Sequence, residues 1–295
     1  MAAAPTELHL HTRDGRELFA VRAGSGSPTV VFEAGMGGSH HMWGGVFPAI
    51  AEITDTVAYD RSGLGRSPGD AAPRTLARLS GDLVDVLGQL GGGPFLLVGH
   101  SWGGPIVRLA AAALPGRIAG LVLVDPSDEG ATAYYGRANA RLTRLFVRLA
   151  PPLARLGLSR LVVRRLARKL PDEEGAALRA EDGTAAAIRT QCAEMRGSLD
   201  DLRALRSDPP ELPDVPLTVI SGGVSTPLDL GKRNHLVTAH RVRARAAHGR
   251  HVVAERSAHM VPFTEPGLVT DEIAAMIDQI RRAGQDGVTT QEEAR

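Results

Sequence analysis

The sequence has few of the features that mark secreted, metal-binding or membrane-spanning proteins. Its 295 residues include one cysteine, Cys192, which excludes an intramolecular disulfide, and no Cys/His cluster has the spacing of zinc ligands. No apolar run approaches the roughly 20 residues that span a bilayer. The first residues lack the basic start and apolar core of a signal peptide. We therefore expect a cytoplasmic protein that needs no metal or other cofactor.

The sequence also has no large excess of positive or negative charge. The 34 basic and 33 acidic residues leave a formal net charge of +1, so we expect no nucleic-acid partner. Only two of the basic residues are lysines, Lys169 and Lys232. With abundant alanine, glycine and leucine, this arginine bias indicates GC-rich coding rather than a binding surface. The 43% of hydrophobic residues is ample for a core.

Short apolar runs alternate with helical patterns through the first 130 residues. Two alternating segments around Asp14-Gly15 predict a β-hairpin. Buried strands are predicted near residues 28–33, 56–59 and 120–125, and leucines at helical spacing predict an amphipathic helix over 76–90. Strands that alternate with helices indicate a parallel sheet covered on both faces.

This alternation stops between residues 131 and 207, which are rich in arginine and leucine and carry no strand signal. Strand patterns return at 215–220 and 250–255, before a closing helix at about 266–282. We predict an α/β core formed by residues 1–130 and 208–283 around a helical lid or cap of residues 131–207. The polar residues 284–295 are predicted to be a disordered tail.

The predicted lid carries two apolar stripes beside many arginines. We expect these stripes to pack on the core, because an insertion above a sheet must bury one face. Basic amphipathic helices also bind anionic lipid, but we favour packing and expect no membrane association. The stripes consist of Leu142, Leu145, Phe146 and Leu149, and of Leu158, Leu161, Val162 and Leu166.

The most informative motif is Gly99-His-Ser101-Trp-Gly103, which has the pattern Gly-x-Ser-x-Gly. This pattern is typical of a nucleophile elbow, a tight strand-to-helix turn that exposes a serine hydroxyl. An apolar run precedes the motif and a helical pattern follows it, so the helix N-terminus would favour negative charge near Ser101. A turn with an incidental serine is the alternative.

A serine nucleophile requires a histidine base that is held by a carboxylate. Of the ten histidines, His259 lies in a loop just past a predicted strand and before the last helix. A base in such a loop can reach over the edge of a sheet. His251 opens a strand and is less suited to this role. The sequence therefore favours His259, and a surface-loop histidine is the alternative.

Further segments extend these motifs into a family resemblance. Residues 32–39 stand where many α/β hydrolases carry His-Gly before the oxyanion loop, and residues 60–67 resemble the family's Asp-x-x-Gly-x-Gly-x-Ser turn. Ser257-Ala-His259 resembles the family's terminal Gly-His step. The chain thus resembles the serine-nucleophile, lid-bearing members of the α/β-hydrolase fold superfamily. This implies a mostly parallel, doubly wound sheet with an N-terminal β-hairpin and a helical lid insertion.

The resemblance also implies an oxyanion hole. In this family the backbone N–H after the nucleophile and one N–H from the loop after the third strand stabilise the oxyanion. By position these groups belong to Trp102 and Met36. We further expect His40, Leu142 and Phe146 to line the substrate pocket.

Two aspartates compete for the role of the acid. Family members usually carry Gly-x-x-Asp after the strand near residue 220, but the matching position here is Ser225. Asp229 lies four residues later and could reach the base if the loop bends. Asp125 ends the strand after the elbow unit, where a group of haloalkane dehalogenases places its acid, although an Asp-Pro step can simply start a turn. We favour Asp125 and keep Asp229 as the alternative.

The resemblance implies a metal-independent serine hydrolase that cleaves an ester, lactone or thioester of a small, apolar acyl substrate through an acyl-enzyme. Serine at the elbow argues against epoxide hydrolase or dehalogenase chemistry, which needs an aspartate nucleophile. An acyltransferase would use the same groups. A ligand-binding receptor with a decayed site is the other alternative, supported only by the missing Gly-x-x-Asp acid.

Overall fold

The computed structural model describes residues 5–226, 229 and 231–293, which surround a central eight-stranded sheet. The strand order is β1-β2-β4-β3-β5-β6-β7-β8. The strands are β1 (Thr6–His11), β2 (Glu17–Ala23), β3 (Thr29–Glu33), β4 (Thr56–Tyr59), β5 (Phe95–His100), β6 (Ile118–Val124), β7 (Leu217–Gly222) and β8 (Arg250–Ala254).

The direction of the strands confirms the predicted fold class. β1 and β2 form an antiparallel hairpin, and β2 is antiparallel to β4. All remaining neighbours are parallel, from β4 through β3, β5, β6 and β7 to β8. The carboxyl ends of these parallel strands meet at one edge of the sheet, where ligand sites of open α/β sheets form.

Helices cover both faces of the sheet. One face packs on leucines and valines of α2, α3 and the end of α7, and the other on α1, α9 and α10. The helices are α1 (Phe47–Ala51), α2 (Leu76–Gln89), α3 (Gly103–Ala113), α4 (Arg137–Arg155), α5 (Leu158–Ala167), α6 (Asp172–Glu181), α7 (Ala185–Ser207), α8 (Lys232–Ala246), α9 (Val261–Thr264) and α10 (Pro266–Glu293).

Helices α4 to α7 form a helical insertion between β6 and β7, within the segment predicted as a lid. Its second half contacts the core: Leu178 of α6 and Leu202 of α7 are buried in the two apolar clusters. The expected packing of the apolar stripes on α4 and α5 is wrong, except that Leu166 is packed against the core. The other seven stripe residues are exposed, because α4 turns Asn139 and Ala154 inward and α5 turns Ala167 inward.

The C-terminal helix is longer than the sequence pattern indicates. We predict a helix that ends near residue 282 and a disordered tail from 284, whereas α10 continues to Glu293. The segment after Gly284 contains no proline and several good helix formers, so nothing in it forces the helix to stop. Residues 294–295 lie outside the described residues.

Among residues 5–226, 229 and 231–293, no helix combines the length and the apolarity that crossing a bilayer needs.

Candidate active site

Ser101 lies in the tight turn between β5 and α3 with a φ of 53°, a left-handed conformation that non-glycine residues rarely adopt. The turn depends on its two glycines. A Cβ on Gly99 would lie 2.6 Å from the carbonyl oxygen of Gly103, and a Cβ on Gly103 would lie 2.5 Å from the carbonyl oxygen of Glu33. Glycine at both positions therefore lets the strand, the helix and the neighbouring strand β3 approach closely enough to hold Ser101 in this strained turn.

The structure brings Ser101, His259 and Asp125 together at the carboxyl edge of the sheet. His259, in the loop between β8 and α9, has Nε2 2.9 Å from Ser101 Oγ and Nδ1 2.7 Å from Asp125 Oδ2. A carboxylate only accepts hydrogen bonds, so the proton lies on Nδ1 and the lone pair of the neutral ring lies on Nε2. In this tautomer Nε2 can accept the hydroxyl proton of Ser101.

Asp125 follows β6 and is almost completely buried. Its carboxylate also accepts hydrogen bonds from Gly222 N at 2.9 Å and from Arg233 Nη1 at 2.6 and 2.8 Å. Burial alone would raise the pKa of Asp125, but the hydrogen bonds from His259 and Arg233 outweigh it and hold that pKa below its ordinary value. The carboxylate is therefore charged at neutral pH.

Our sequence reasoning missed Arg233. One signal for it exists, because a basic residue in the first turn of a helix, here α8, faces the positive end of the helix dipole and calls for a nearby carboxylate. Nothing in the sequence identifies that carboxylate as Asp125, which lies 108 residues earlier in the chain.

Asp229, the alternative acid, occupies a different place. Its carboxylate accepts a hydrogen bond from Thr226 N at 2.5 Å, and its own backbone N–H donates to the carbonyl of Thr226. The side chain thus closes its own turn. Within the described residues, no hydrogen bond joins Asp229 to His259.

His100 supports the loop that carries His259. It is buried, and its Nε2–H donates to the backbone carbonyl of His259 at 2.9 Å while the two rings lie 4.9 Å apart. Burial lowers the pKa of His100 to about 3, so the ring stays neutral. Our sequence analysis gave this residue no role.

Arg61 holds the loop that carries Met36 through two hydrogen bonds to backbone carbonyls. The guanidinium donates to the carbonyls of Ala34 and Gly35 at 2.7 and 2.8 Å. The Gly35 carbonyl and the Met36 N–H belong to one trans peptide and point in opposite directions. Arg61 therefore sets the direction of the Met36 N–H. In the described part of the chain, neither this amide nor that of Trp102 donates to a protein acceptor.

Glu194 of α7 connects the helical insertion to this same loop. Both of its carboxylate oxygens accept hydrogen bonds from Arg61 at 2.9 Å, and one also accepts from Gly37 N at 3.1 Å. Arg74 donates a further bond at 3.1 Å, and all three charged side chains are buried. Arg61 lies within the motif of residues 60–67, but no sequence signal assigns Glu194 as its partner.

The three residues expected in the substrate pocket are not grouped. His40 is buried, with Nδ1 3.0 Å from Asp60 Oδ1 and its ring against Phe19. Leu142 and Phe146 lie on the outer surface of α4 and are 43% and 39% exposed. The latter two contribute to an open surface rather than to a closed acyl pocket.

One side-chain cluster has the composition of a metal site. Ligand atoms of His40, His41 and Glu181 all lie within 4.8 Å of one another. However, His41 also contacts Glu174, and although burial lowers the pKa of His41, the two carboxylates outweigh it and raise that pKa to about 10. A protonated ring has no lone pair to offer a metal. The cluster therefore acts as an ion pair between the core and α6.

Known proteins place this architecture in a family. Residues 28–196, more than half of the chain, match the family described as alpha/beta hydrolase fold. The chain belongs to this family. Its sequence is 32% identical over 123 residues to the protein named "Putative carbamate hydrolase RutD" of Azorhizobium caulinodans, across 42% of this chain and 43% of that protein. The chain thus spans less than half the length of this curated relative.

Solved alpha/beta hydrolase structures resemble nearly the whole chain. A structure titled "putative epoxide hydrolase" from Pseudomonas aeruginosa superposes with a TM-score of 0.77 at 22% identity, over 95% of this chain and 97% of that one. The epoxide hydrolase CorEH gives a TM-score of 0.73 at 20% identity, over 94% and 100%. At such identities the likeness shows the fold alone.

Proposed function

We propose that the protein is a metal-independent serine hydrolase that cleaves a carboxylic ester or a related acyl bond, such as a lactone or thioester. The observation that carries this proposal is the continuous hydrogen-bonded row from Ser101 Oγ through His259 to Asp125, with distances of 2.9 and 2.7 Å. A nucleophile, a base and a group that orients the base, all in hydrogen-bond contact, are what acyl transfer by a serine requires.

The reaction proceeds in two halves. His259 Nε2 takes the hydroxyl proton as Ser101 Oγ attacks the carbonyl carbon, and the protonated ring then gives that proton to the leaving group. Water attacks the resulting acyl-enzyme with the same base, which releases the acid and restores Ser101. The charged Asp125 keeps the ring in the productive tautomer and stabilises the imidazolium.

The backbone N–H groups of Met36 and Trp102 are proposed to stabilise the oxyanion. Each is a donor without a protein acceptor in the described part of the chain, and each lies beside Ser101 by its place in the fold. Trp102 directly precedes α3, whose N-terminus adds favourable dipoles. One such donor typically contributes about 10²–10³ to the rate.

Of the two reactions named for similar proteins, carbamate hydrolysis is compatible with a serine nucleophile and epoxide opening is not. A carbamate, the bond named for the Azorhizobium relative, has a carbonyl that a serine can attack. Epoxide opening through an enzyme ester needs a carboxylate nucleophile, and this chain has Ser101 at that position. The receptor alternative rested on the missing acid at Ser225, and the contact between Asp125 and His259 removes that support.

A fluorophosphonate probe tests the proposal, because it labels only an activated serine. We expect mass spectrometry to find the label on Ser101 and to find none in Ser101→Ala. Ser207→Ala, which changes a solvent-facing serine at the end of α7, serves as the matched control and should label like the wild type. Absence of labelling in the folded wild type, or labelling that persists in Ser101→Ala, would overturn the proposal.

Esters of graded acyl length then address the substrate. Hydrolysis of p-nitrophenyl esters from acetyl to dodecanoyl reports which acyl group the site accepts. Adding an alcohol to the same reaction distinguishes transfer from hydrolysis, since a transferase would form the new ester in place of the free acid.

A further inference from the structure

The charges of the chain are strongly segregated in the segment that spans α4 and α5. Residues 137–168 contain nine arginines and no aspartate or glutamate, whereas the whole chain has a net charge of +1. The rest of the chain is therefore net acidic. All nine arginines are exposed: Arg137, Arg141, Arg144, Arg148, Arg155, Arg160, Arg164, Arg165 and Arg168.

These arginines have no partners within the described residues. None of the nine forms an ion pair, whereas the buried arginines Arg61, Arg108 and Arg233 each contact a carboxylate. Guanidinium groups without internal partners remain available to external anions, which they bind most strongly when the anion is a phosphate or a carboxylate.

The same segment also exposes most of its large apolar side chains. Of the twelve large hydrophobic residues that are exposed in the described chain, nine lie here, so this exposure is concentrated rather than scattered. Along α4 they recur every three or four residues, which places them on one side of the helix. They are Leu142, Leu145, Phe146, Leu149, Leu153, Leu156, Leu158, Leu161 and Val162, with exposures from 39% to 77%.

We propose that the α4–α5 face, defined by these nine apolar residues and nine arginines, binds the surface of an anionic lipid membrane. An amphipathic basic helix lies in the plane of the interface, with its apolar side chains at the acyl boundary and its cations on lipid phosphates. The binding is peripheral, since no described helix can cross a bilayer.

A nucleic acid or a second copy of the chain would match only one of the two properties of this surface, its charge or its apolar side chains. A nucleic acid would neutralise the arginines but leave the leucines in water. A second copy of the chain would cover the leucines but bring two arginine-rich faces together, which like-charge repulsion opposes. An anionic lipid surface matches both the apolar residues and the charge. The inference is independent of the chemistry at Ser101.

Co-sedimentation of the full chain with vesicles tests the proposal. We expect binding to vesicles of phosphatidylcholine mixed with phosphatidylglycerol, weak binding to phosphatidylcholine alone, and weaker binding as salt rises. Two variants separate the contributions: Leu145→Gln/Phe146→Gln/Leu149→Gln removes apolar contacts, and Arg144→Gln/Arg148→Gln/Arg164→Gln removes charge. Each should lower the partition coefficient by at least about tenfold.

Helix α8 supplies the matched control, because it also exposes arginines and a valine. The variant Arg241→Gln/Val242→Gln/Arg245→Gln should bind vesicles like the wild type. Circular dichroism shows whether each variant is folded, and all of these substitutions are at exposed positions.

Three results would overturn the proposal. One is the absence of binding to vesicles that contain phosphatidylglycerol. A second is binding that the α8 variant loses as much as the α4 variants do. The third is a chain that binds duplex DNA, or associates with itself in light scattering, through the α4–α5 face while ignoring vesicles.

Discussion

The two halves of the helical insertion, α4–α5 and α6–α7, differ in their charged residues and in their surroundings. Both are rich in arginine, leucine and alanine. In α6–α7 two of the acidic residues face the core, where Glu194 contacts Arg61 and Glu174 contacts His41. In α4–α5 there are no acidic residues, and the arginines and leucines face outward.

The difference between the two halves shows that an apolar stripe in the sequence does not by itself predict whether the stripe packs on the core or is exposed. Glu194 and Glu174 anchor α6–α7, because each has a specific donor on the core. The stripes of α4–α5 have no such anchor, and α4 packs through Asn139 and Ala154 instead. We therefore expect substitutions in α6–α7 to change catalysis or stability, and substitutions in α4–α5 to change membrane binding.

The largest loss of turnover among the following substitutions is expected in the core, at the acid of the site. We expect Asp125→Asn to lower kcat by on the order of 10⁴, because the amide holds the imidazole of His259 in the wrong tautomer. Steady-state hydrolysis of an activated ester measures this change. Asp229→Asn is the control and should retain nearly full activity, since that carboxylate only closes a turn with Thr226. The reverse ranking would show that Asp229 is the acid.

The second-largest loss of turnover is expected from a substitution in α7. Glu194→Gln weakens the hold on Arg61 and on Gly37 N, and thereby the orientation of the Met36 N–H. We expect kcat to fall by about 10²-fold with little change in KM, because an oxyanion donor acts mainly in the transition state.

The control for Glu194→Gln is Glu129→Gln, which alters another buried carboxylate, one paired with Arg108 at 2.7 Å. Both variants lose charge from a buried ion pair, so both should lose stability. Only Glu194→Gln should weaken binding of a trifluoromethyl ketone, which mimics the oxyanion. Equal effects of the two variants on inhibitor binding would refute the proposed positioning by α7.

Asp182, just after α6, should give a smaller effect that appears only in stability. Burial raises its pKa to about 6 from 3.8, because few groups compensate the charge beyond the contact with Ser39. The folded state therefore holds its proton more tightly, and the free energy of unfolding decreases as pH rises from about 4 through 6. Asp182→Asn cannot become charged, so it should be more stable at pH 7 by about 1–3 kcal/mol.

Urea unfolding at several pH values measures this effect. The stabilisation by Asp182→Asn should disappear below about pH 4, where the aspartate of the wild type is protonated in both states. Asp200→Asn, at an exposed position on α7, should show little dependence of this kind. A gain for Asp182→Asn that is constant from pH 4 to 8 would contradict the argument from burial.

The smallest effect is expected on α4. Leu145→Gln/Leu149→Gln changes two exposed side chains, so the free energy of unfolding should shift by about 0.5 kcal/mol or less. Turnover of a water-soluble ester should also be nearly unchanged. A loss of more than about 2 kcal/mol in urea unfolding would mean that these leucines are packed, and the contrast between the two halves would fail.

The sequence allows the fold to be predicted because its signals are local. Alternation around Asp14-Gly15 predicts the hairpin, and the motif at Gly99–Gly103 joins a strand pattern to a helix pattern. The site is harder to predict from the sequence. Arg233 lies 108 positions from its partner Asp125. Glu194 lies 133 positions from its partner Arg61. Such partners are set by the way helices pack, which no local pattern encodes. For the same reason the sequence could not decide which stripes would be buried.

The ion pair between Arg61 and Glu194 restricts how the helical insertion can move. If the whole insertion swung away as one body, α7 would separate from the core and leave a buried guanidinium without its counter-charge, which is strongly unfavourable. The part of the insertion that can move at low cost is α4–α5, where few side chains are buried. A movement confined to α4–α5 would leave α7 in place, and with it the hold of Glu194 on Arg61 and on the loop of Met36.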